Sequence, residues 1–215
     1  MVAVISIKVS VNQDELNHKF NHGVHVMIYS STRRPTLIQH IPWDSDLLRY
    51  ALVALVGSCL LAVSAKVQVP FWPVPMTMQT FVVLVLAIAC GPRLGAATVA
   101  LYLVEGGAGL PIFANGGGLA YMMGPTGGYL VGFLASALVV GFLAERGWDR
   151  SMITTAAAML IGEVVIFACG LAWLGQFTTY EKVVELGLTP FLLSEVFKIL
   201  LATFTLPLLW KSLRS

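Results

Sequence analysis

The chain has 215 residues, 57% of them hydrophobic and only 11% charged, with a formal net charge of +2 at pH 7. Soluble domains carry roughly 25% charged residues, so a chain this poor in charge, with a mean hydropathy of +0.82, cannot cover a water-facing surface. Disorder needs the opposite composition and nucleic-acid binding needs a basic stripe that is absent here, which leaves one integral membrane domain.

Residues 1–46 differ from the rest. They hold the histidines His18, His22, His25 and His40, with Asp14, Glu15, Lys19, Arg33 and Arg34. No hydrophobic period is sustained, so a mobile cytoplasmic tail is expected. The histidine spacings are irregular and no cysteine joins them, so no metal site is expected. Residues 1–7 are apolar but too short for a signal peptide, and no small-residue cleavage site follows. Cys59, Cys90 and Cys169 lie in apolar runs without a CxxC pair, as small buried apolar residues do.

From Leu47 onward the chain is a series of apolar segments, read here as one membrane domain over 47–213. A helix that spans a bilayer needs roughly 17–25 residues. Segments are predicted at about 47–66, 76–91, 94–106, 125–144, 151–174 and 190–210. The second and third are short for full spans. The fold class expected is an all-α bundle of six transmembrane helices with Gly/Pro-rich outer loops.

No charged residue occurs from Val67 to Pro92 or from Gly106 to Ala144. The second stretch is crowded with Gly106, Gly107, Gly109, Gly116, Gly117, Gly118, Gly124, Gly127 and Gly128. So many glycines argue against a plain helix. Irregular backbone near a membrane is tolerated where protein buries it or it lines a cavity, so a shaped loop over a site is expected. Six spans put both termini on one side. Arg33, Arg34, Arg49, Arg93, Arg146, Arg150, Lys211 and Arg214 fall near the membrane on that side, against Lys66 and Lys182 on the other. The positive-inside rule then predicts N-in and C-in, with Trp43, Trp148 and Trp210 as inner anchors and Trp72 and Trp173 as outer ones.

Three ionisable residues remain inside predicted spans: Glu163, Glu195 and Lys198. A charge at mid-bilayer costs about 2.5–3.5 kcal/mol on insertion scales, so these must face the bundle interior or water. Glu195 and Lys198 share a helical face at i, i+3. Counted from Pro190, Lys198 lies roughly 12 Å below the outer boundary. Two readings stand: an internal ion pair that holds helices together, or the floor of an outward-facing pocket in which Lys198 pairs a ligand carboxylate. Glu163 lines the same pocket, bonds across to another helix, or carries a proton. Gly127 and Gly128, after Pro125, let a ligand or a neighbouring backbone approach closely. Ala54, Ser58 and Ala62 recur every fourth residue, a face suited to close helix contact inside the bundle or with another protein. No phosphate-binding GxxxxGK[ST] loop exists, so ATP binding by this route is excluded. No histidine lies in a span, which removes a Ser–His or zinc site there.

The run Pro73-Val74-Pro75-Met76-Thr77-Met78-Gln79-Thr80-Phe81 resembles the stretch that opens the second helix in BioY proteins. Gly109-Leu110-Pro111-Ile112-Phe113-Ala114, followed by Gly124-Pro125-Thr126-Gly127-Gly128-Tyr129-Leu130, is similar to a second signature of that family. Glu195-Val196-Phe197-Lys198 resembles its D-x-x-K element in the last helix, with Glu195 where the family carries an aspartate. The resemblance covers roughly residues 45–213. It implies a biotin-specific S component of an energy-coupling-factor (ECF) transporter in the cytoplasmic membrane, with biotin captured at the outer face. It implies a transmembrane coupling (T) subunit and two cytosolic ABC ATPases as partners, with the Ala54, Ser58 and Ala62 face meeting the coupling subunit. Carried over by motif, Lys198 meets the biotin carboxylate, Glu195 bonds the ligand, and Gly127, Gly128 and Tyr129 line the site. Asn115 stands near a family asparagine in the glycine loop, and Gln79, Phe113 and Glu163 complete the candidate set. No cofactor is implied, and no catalysis by the chain itself.

Other readings are an S component for another small vitamin or carboxylate, a self-sufficient channel or secondary transporter, or an intramembrane enzyme acting on lipid. The last needs a nucleophile–base pair, for which the spans supply only Glu163, Glu195 and scattered hydroxyls.

Overall fold

A computed structural model describes residues 36–40 and 46–212. The tail expected over 1–46, with Arg33, Arg34, Trp43, His18, His22 and His25, lies outside the described residues apart from 36–40 and Asp46, and so does Arg214.

Helix α1 (Asp46–Lys66) is 21 residues long, about 31 Å at 1.5 Å per residue, which matches a hydrocarbon core of roughly 30 Å. Its apolar residues run all the way round the helix. One side packs inward through Ser58, Leu61 and Ala65, while Leu52, Leu55, Val56, Leu60 and Val63 are exposed. That exposure suits a lipid-facing helix.

Helix α2 (Gln79–Gly107) consists of two helical arms that meet at a sharp break. Gly91 has φ 78° and ψ 178°, and Pro92 follows it. A left-handed φ suits glycine, and proline tolerates the first position of a new helix. The chain reverses there: Gly95 packs on the backbone of Ala87, and Gln79 Nε2 donates to Tyr102 Oη at 2.7 Å. In a straight helix those last two residues would be about 34 Å apart. Residues 79–90 and 92–107 are therefore antiparallel arms. The 3₁₀ turn Leu37–His40 packs on α2, and Thr36, just before it, is buried beside Gly91. The packed domain thus takes in residues 36–40 and starts ahead of α1.

Strands β1 (Gln68–Val69) and β2 (Met76–Thr77) pair antiparallel between α1 and α2, with Gln68 opposite Thr77 and Val69 opposite Met76. The glycine-rich stretch after α2 contains the short helix α3 (Leu119–Met122) and is shaped rather than open. Phe113 and Gly116 exchange backbone hydrogen bonds at 2.9 and 3.3 Å, and Gly118 N–H donates to Gly106 O at 2.6 Å. Helix α4 (Gly127–Glu145) follows. Helix α5 (Met152–Leu174) starts where the Ser151 hydroxyl accepts from Thr154 N–H at 3.3 Å, a side-chain N-cap. Helix α6 (Tyr180–Gly187) buries Val183 and exposes Glu181, Lys182 and Glu185. Helix α7 (Leu192–Ser212) closes the described chain.

Each apolar segment read from the sequence falls on a helix: α1, the two arms of α2, α4, α5 and α7. By length and composition, four helices among the described residues can cross a membrane (α1, α2, α4 and α5), or five if α6 and α7, bent by 45°, act as one. The core lies where α2, α4 and α5 meet, around Leu84, Ile88, Val99, Tyr102, Val140 and Ile166.

Candidate binding site

The first turn of α2 sits against α7 near the loop of β1 and β2. Lys198 lies one helical turn beyond Glu195, so both side chains point the same way. The Lys198 ammonium donates to Glu195 Oε1 at 2.7 Å, to Thr77 O at 2.7 Å and to Thr80 Oγ1 at 2.9 Å. Thr80 Oγ1 in turn donates a hydrogen bond to Glu195 Oε2 at 2.9 Å. Lys198 and Glu195 are each only 5% exposed. Buried charges are tolerated when paired and hydrogen-bonded, and this ring of bonds meets that condition.

Gln79, one residue before Thr80, anchors the same turn. Its amide donates to Tyr102 Oη at 2.7 Å, and Tyr102 donates on to Ile112 O at 3.2 Å. The Gln79 carbonyl oxygen accepts from Thr77 Oγ1 at 3.3 Å. A chain of polar contacts therefore runs from the first arm of α2, through the second, into the glycine loop.

A small, partly open cavity lies beside this cluster. Val74, Pro75, Ala114 and Phe133 line it with Thr77, Gln79, Thr80 and Glu195. Tyr129, Phe167 and Phe191 form an aromatic wall. Their ring centroids lie 5.9 Å apart for Tyr129–Phe167, 5.8 Å for Phe167–Phe191 and 6.4 Å for Tyr129–Phe191. Tyr129 Oη donates to Gly187 O at 2.8 Å and ties the wall to α6. The cavity volume is about 30 Å³, room for roughly two or three waters, so a vitamin-sized ligand enters only if the wall or a loop shifts. Apolar walls with a few polar groups at one end are what a small amphiphilic ligand requires.

The glycine loop is fastened over this region from α1 and β1. Lys66 Nζ donates to Phe113 O at 2.6 Å. Gln68 Nε2 donates to Ala114 O at 3.2 Å and to Asn115 Oδ1 at 3.3 Å. Burial pushes the Tyr121 phenol in this loop up from its ordinary value, so it adds no charge near neutral pH.

The structure thus gathers Glu195, Gln79 and Tyr129 around one cavity, while Lys198 stands behind Glu195 and Thr80 and lines a separate pocket with Gln68, Met76, Thr77 and Ser194. Glu163 is 4% exposed and, with Glu195, lines a lateral groove of about 450 Å³ between α5 and α7. Neither of its carboxylate oxygens has a hydrogen-bond partner. Phe113 is fully buried, its ring stacked on Tyr121 and edge-on to Tyr102, so its neighbour Ala114 rather than its own ring faces the cavity. Asn115 is exposed. Gly127 and Gly128 border backbone and helix contacts instead of the cavity: a Cβ on Gly127 would collide with Met122 O, and one on Gly128 with Trp173 Cβ. Ser58 is buried and donates to Glu105 Oε1 at 3.3 Å, so the small-residue face of α1 turns toward the second arm of α2. Thr77, Thr80, Phe167 and Phe191 were missed by sequence reasoning. The two threonines lie within a quoted motif, but no property of a threonine marks it as a partner of a distant lysine. Among the described residues, no cluster of three His, Cys, Asp or Glu side chains can hold a metal.

Residues 35–215 match the model of the BioY family. The match begins ten residues ahead of the motif-based resemblance, consistent with the packing of residues 36–40. A protein of Pyrococcus horikoshii named "Probable biotin transporter BioY" is 36% identical over 149 residues, covering 69% of this chain and 87% of that protein. "Biotin transporter BioY" of Thermotoga maritima is 36% identical over 157 residues, covering 72% of this chain and 92% of that protein. Among solved structures, the S-component for biotin from an ECF-type ABC transporter superposes with a TM-score of 0.67 at 20% identity, covering 80% of this chain and 95% of that one. That last likeness is one of fold.

Proposed function

The chain belongs to the BioY family, and from that premise we propose that it is the biotin-binding S component of an ECF-type uptake system. It is a multi-pass protein of the cytoplasmic membrane and a transporter subunit, not an enzyme. The observation that carries the ligand reading is an aromatic-walled cavity lined by Glu195, with the buried Lys198 ammonium 2.7 Å behind that carboxylate. Biotin offers a carboxylate on an apolar chain and a cyclic urea. The carboxylate goes to Lys198, the apolar body lies along Tyr129, Phe167 and Phe191, and Gln79 and Glu195 serve polar atoms of the ligand. Asn115 and the glycine loop close over it.

In the same proposal all six helical segments cross the bilayer with both termini inside. The α2 arms are about 18 and 24 Å long, short enough to need the flanking loops to complete each crossing. Arg93 at their reversal and Arg146 after α4 are exposed on the side assigned to the cytosol, which supports the orientation. A transmembrane coupling subunit and two cytosolic ATPases supply the energy. The coupling subunit meets α1, where Ala54 and Ala62 are half-buried at the margin of the exposed apolar face and Ser58 is held inside.

Calorimetric titration of the purified protein with biotin and two other carboxylate vitamins tests the ligand. Biotin is expected to bind 1:1 and the others not at all. Saturable binding of another vitamin, with no heat from biotin, would assign a different substrate.

A further inference from the structure

An ammonium has three N–H donors, and those of Lys198 are all engaged, by Glu195, Thr77 O and Thr80. A ligand carboxylate therefore reaches Lys198 only by displacing one of these acceptors. Glu195 is the one that a second carboxylate replaces charge for charge. Once displaced, Glu195 keeps the Thr80 hydroxyl but has lost its cation, and a buried carboxylate without compensation is costly.

The structure holds one further group in reach. Glu163 lies beside Glu195 on the groove between α5 and α7, almost wholly buried, with both oxygens unpartnered. Among the described residues, the charged groups acting on it are Glu195 and Lys198 of α7. From α4 and α2, Ser136, Val140 and Leu84 meet at Gly162, the residue before Glu163, and none of the three carries a charge. The charges of α6, on Glu181, Lys182 and Glu185, are exposed beyond the other end of α5, where Gly187 abuts Leu174.

We propose that Glu163 is a positioning residue for the ligand carboxylate: as a neutral acid it turns to donate a hydrogen bond to Glu195 once the ligand has taken Lys198. The two acids then share one proton, and Lys198 is free to pair with the ligand. This rests on biotin being the ligand. It predicts that binding of a carboxylate ligand, and only of such a ligand, is linked to the proton on the acid pair. Affinity for biotin falls as pH rises past the point where the pair loses that proton, by up to about tenfold per pH unit. A neutral biotin amide leaves Lys198 on Glu195 and shows no such fall.

The test is calorimetry with biotin and with biotin amide over about pH 6–10, where the biotin carboxylate stays ionised. It uses the full-length wild-type protein, Glu163→Gln and Glu163→Leu. Glutamine donates to Glu195 without a titrating proton, so Glu163→Gln is expected to bind biotin within about threefold of wild type near neutral pH and to lose the alkaline fall. Glu163→Leu is expected to bind biotin at least about tenfold more weakly at every pH, because Glu195 has no second donor. Should the leucine variant fail to fold, the wild-type contrast between biotin and its amide decides. Parallel pH profiles for wild type and Glu163→Gln, or for biotin and its amide, would overturn the role of Glu163. Absence of biotin binding at every pH would overturn the ligand assignment beneath it.

Discussion

Thr80 shows how much one hydroxyl carries at this site. It accepts from Lys198 and donates to Glu195, so it joins the two charges and holds their geometry. Thr80→Val keeps the shape and removes both bonds, leaving a buried N–H and a buried carboxylate oxygen short of a partner. Each such loss costs about 1–3 kcal/mol, and a lower thermal-unfolding midpoint in detergent is the expected outcome. An unchanged midpoint would mean that the ring of bonds contributes nothing to stability. The sequence pointed to Lys198 and Glu195 because charges in an apolar run must be housed. It did not point to Thr80, since a threonine in a helix is ordinary and its lysine partner is 118 positions away. Gly127 and Gly128 mark the reverse case. Their small size was legible as close approach, yet only the fold shows that Met122 and Trp173 are what approaches.

At the scale of elements, the outer loops act through their attachments. Lys66 ends α1 and grips the glycine loop at Phe113 O, while Gln68 in β1 holds Ala114 and Asn115. The cavity is too small for biotin as it stands, and Ala114 of the clasped loop lines it beside the aromatic wall, so opening this clasp is one of the two movements that would admit the ligand. Lys66→Met keeps the apolar stem and removes the donor. Biotin is expected to dissociate several-fold faster from this variant, with affinity weakened by up to about tenfold, read by stopped-flow competition. An unchanged dissociation rate would show that the clasp does not govern release. Most helices could be read from hydrophobic run length, and the two arms of α2 from the two short runs at 76–91 and 94–106, while the left-handed Gly91 that reverses the chain shows only in the fold. Helix α6 could not, because its eight residues are too few to establish a 3.6-residue period. The Ala54, Ser58 and Ala62 spacing announced a close contact but left its partner open. Ser58 settles its own part of that by bonding Glu105.

Across the whole molecule, composition alone fixed the membrane class, and three ordered motifs pointed to the family that the comparisons then showed. What the sequence left unwritten is how distant segments meet: β2, the first turn of α2 and α7 form the polar end of the site, while α4, α5 and the residue before α7 supply its aromatic wall. The central claim is that a buried ammonium in this assembly grips the acid group of biotin. The most direct measurement is the affinity of Lys198→Ala for biotin and for biotin amide, side by side with wild type. Loss of a charge-assisted bond of about 1.5–3 kcal/mol predicts that biotin binds roughly 10–150-fold more weakly while the amide changes little. Equal weakening of both ligands would contradict it.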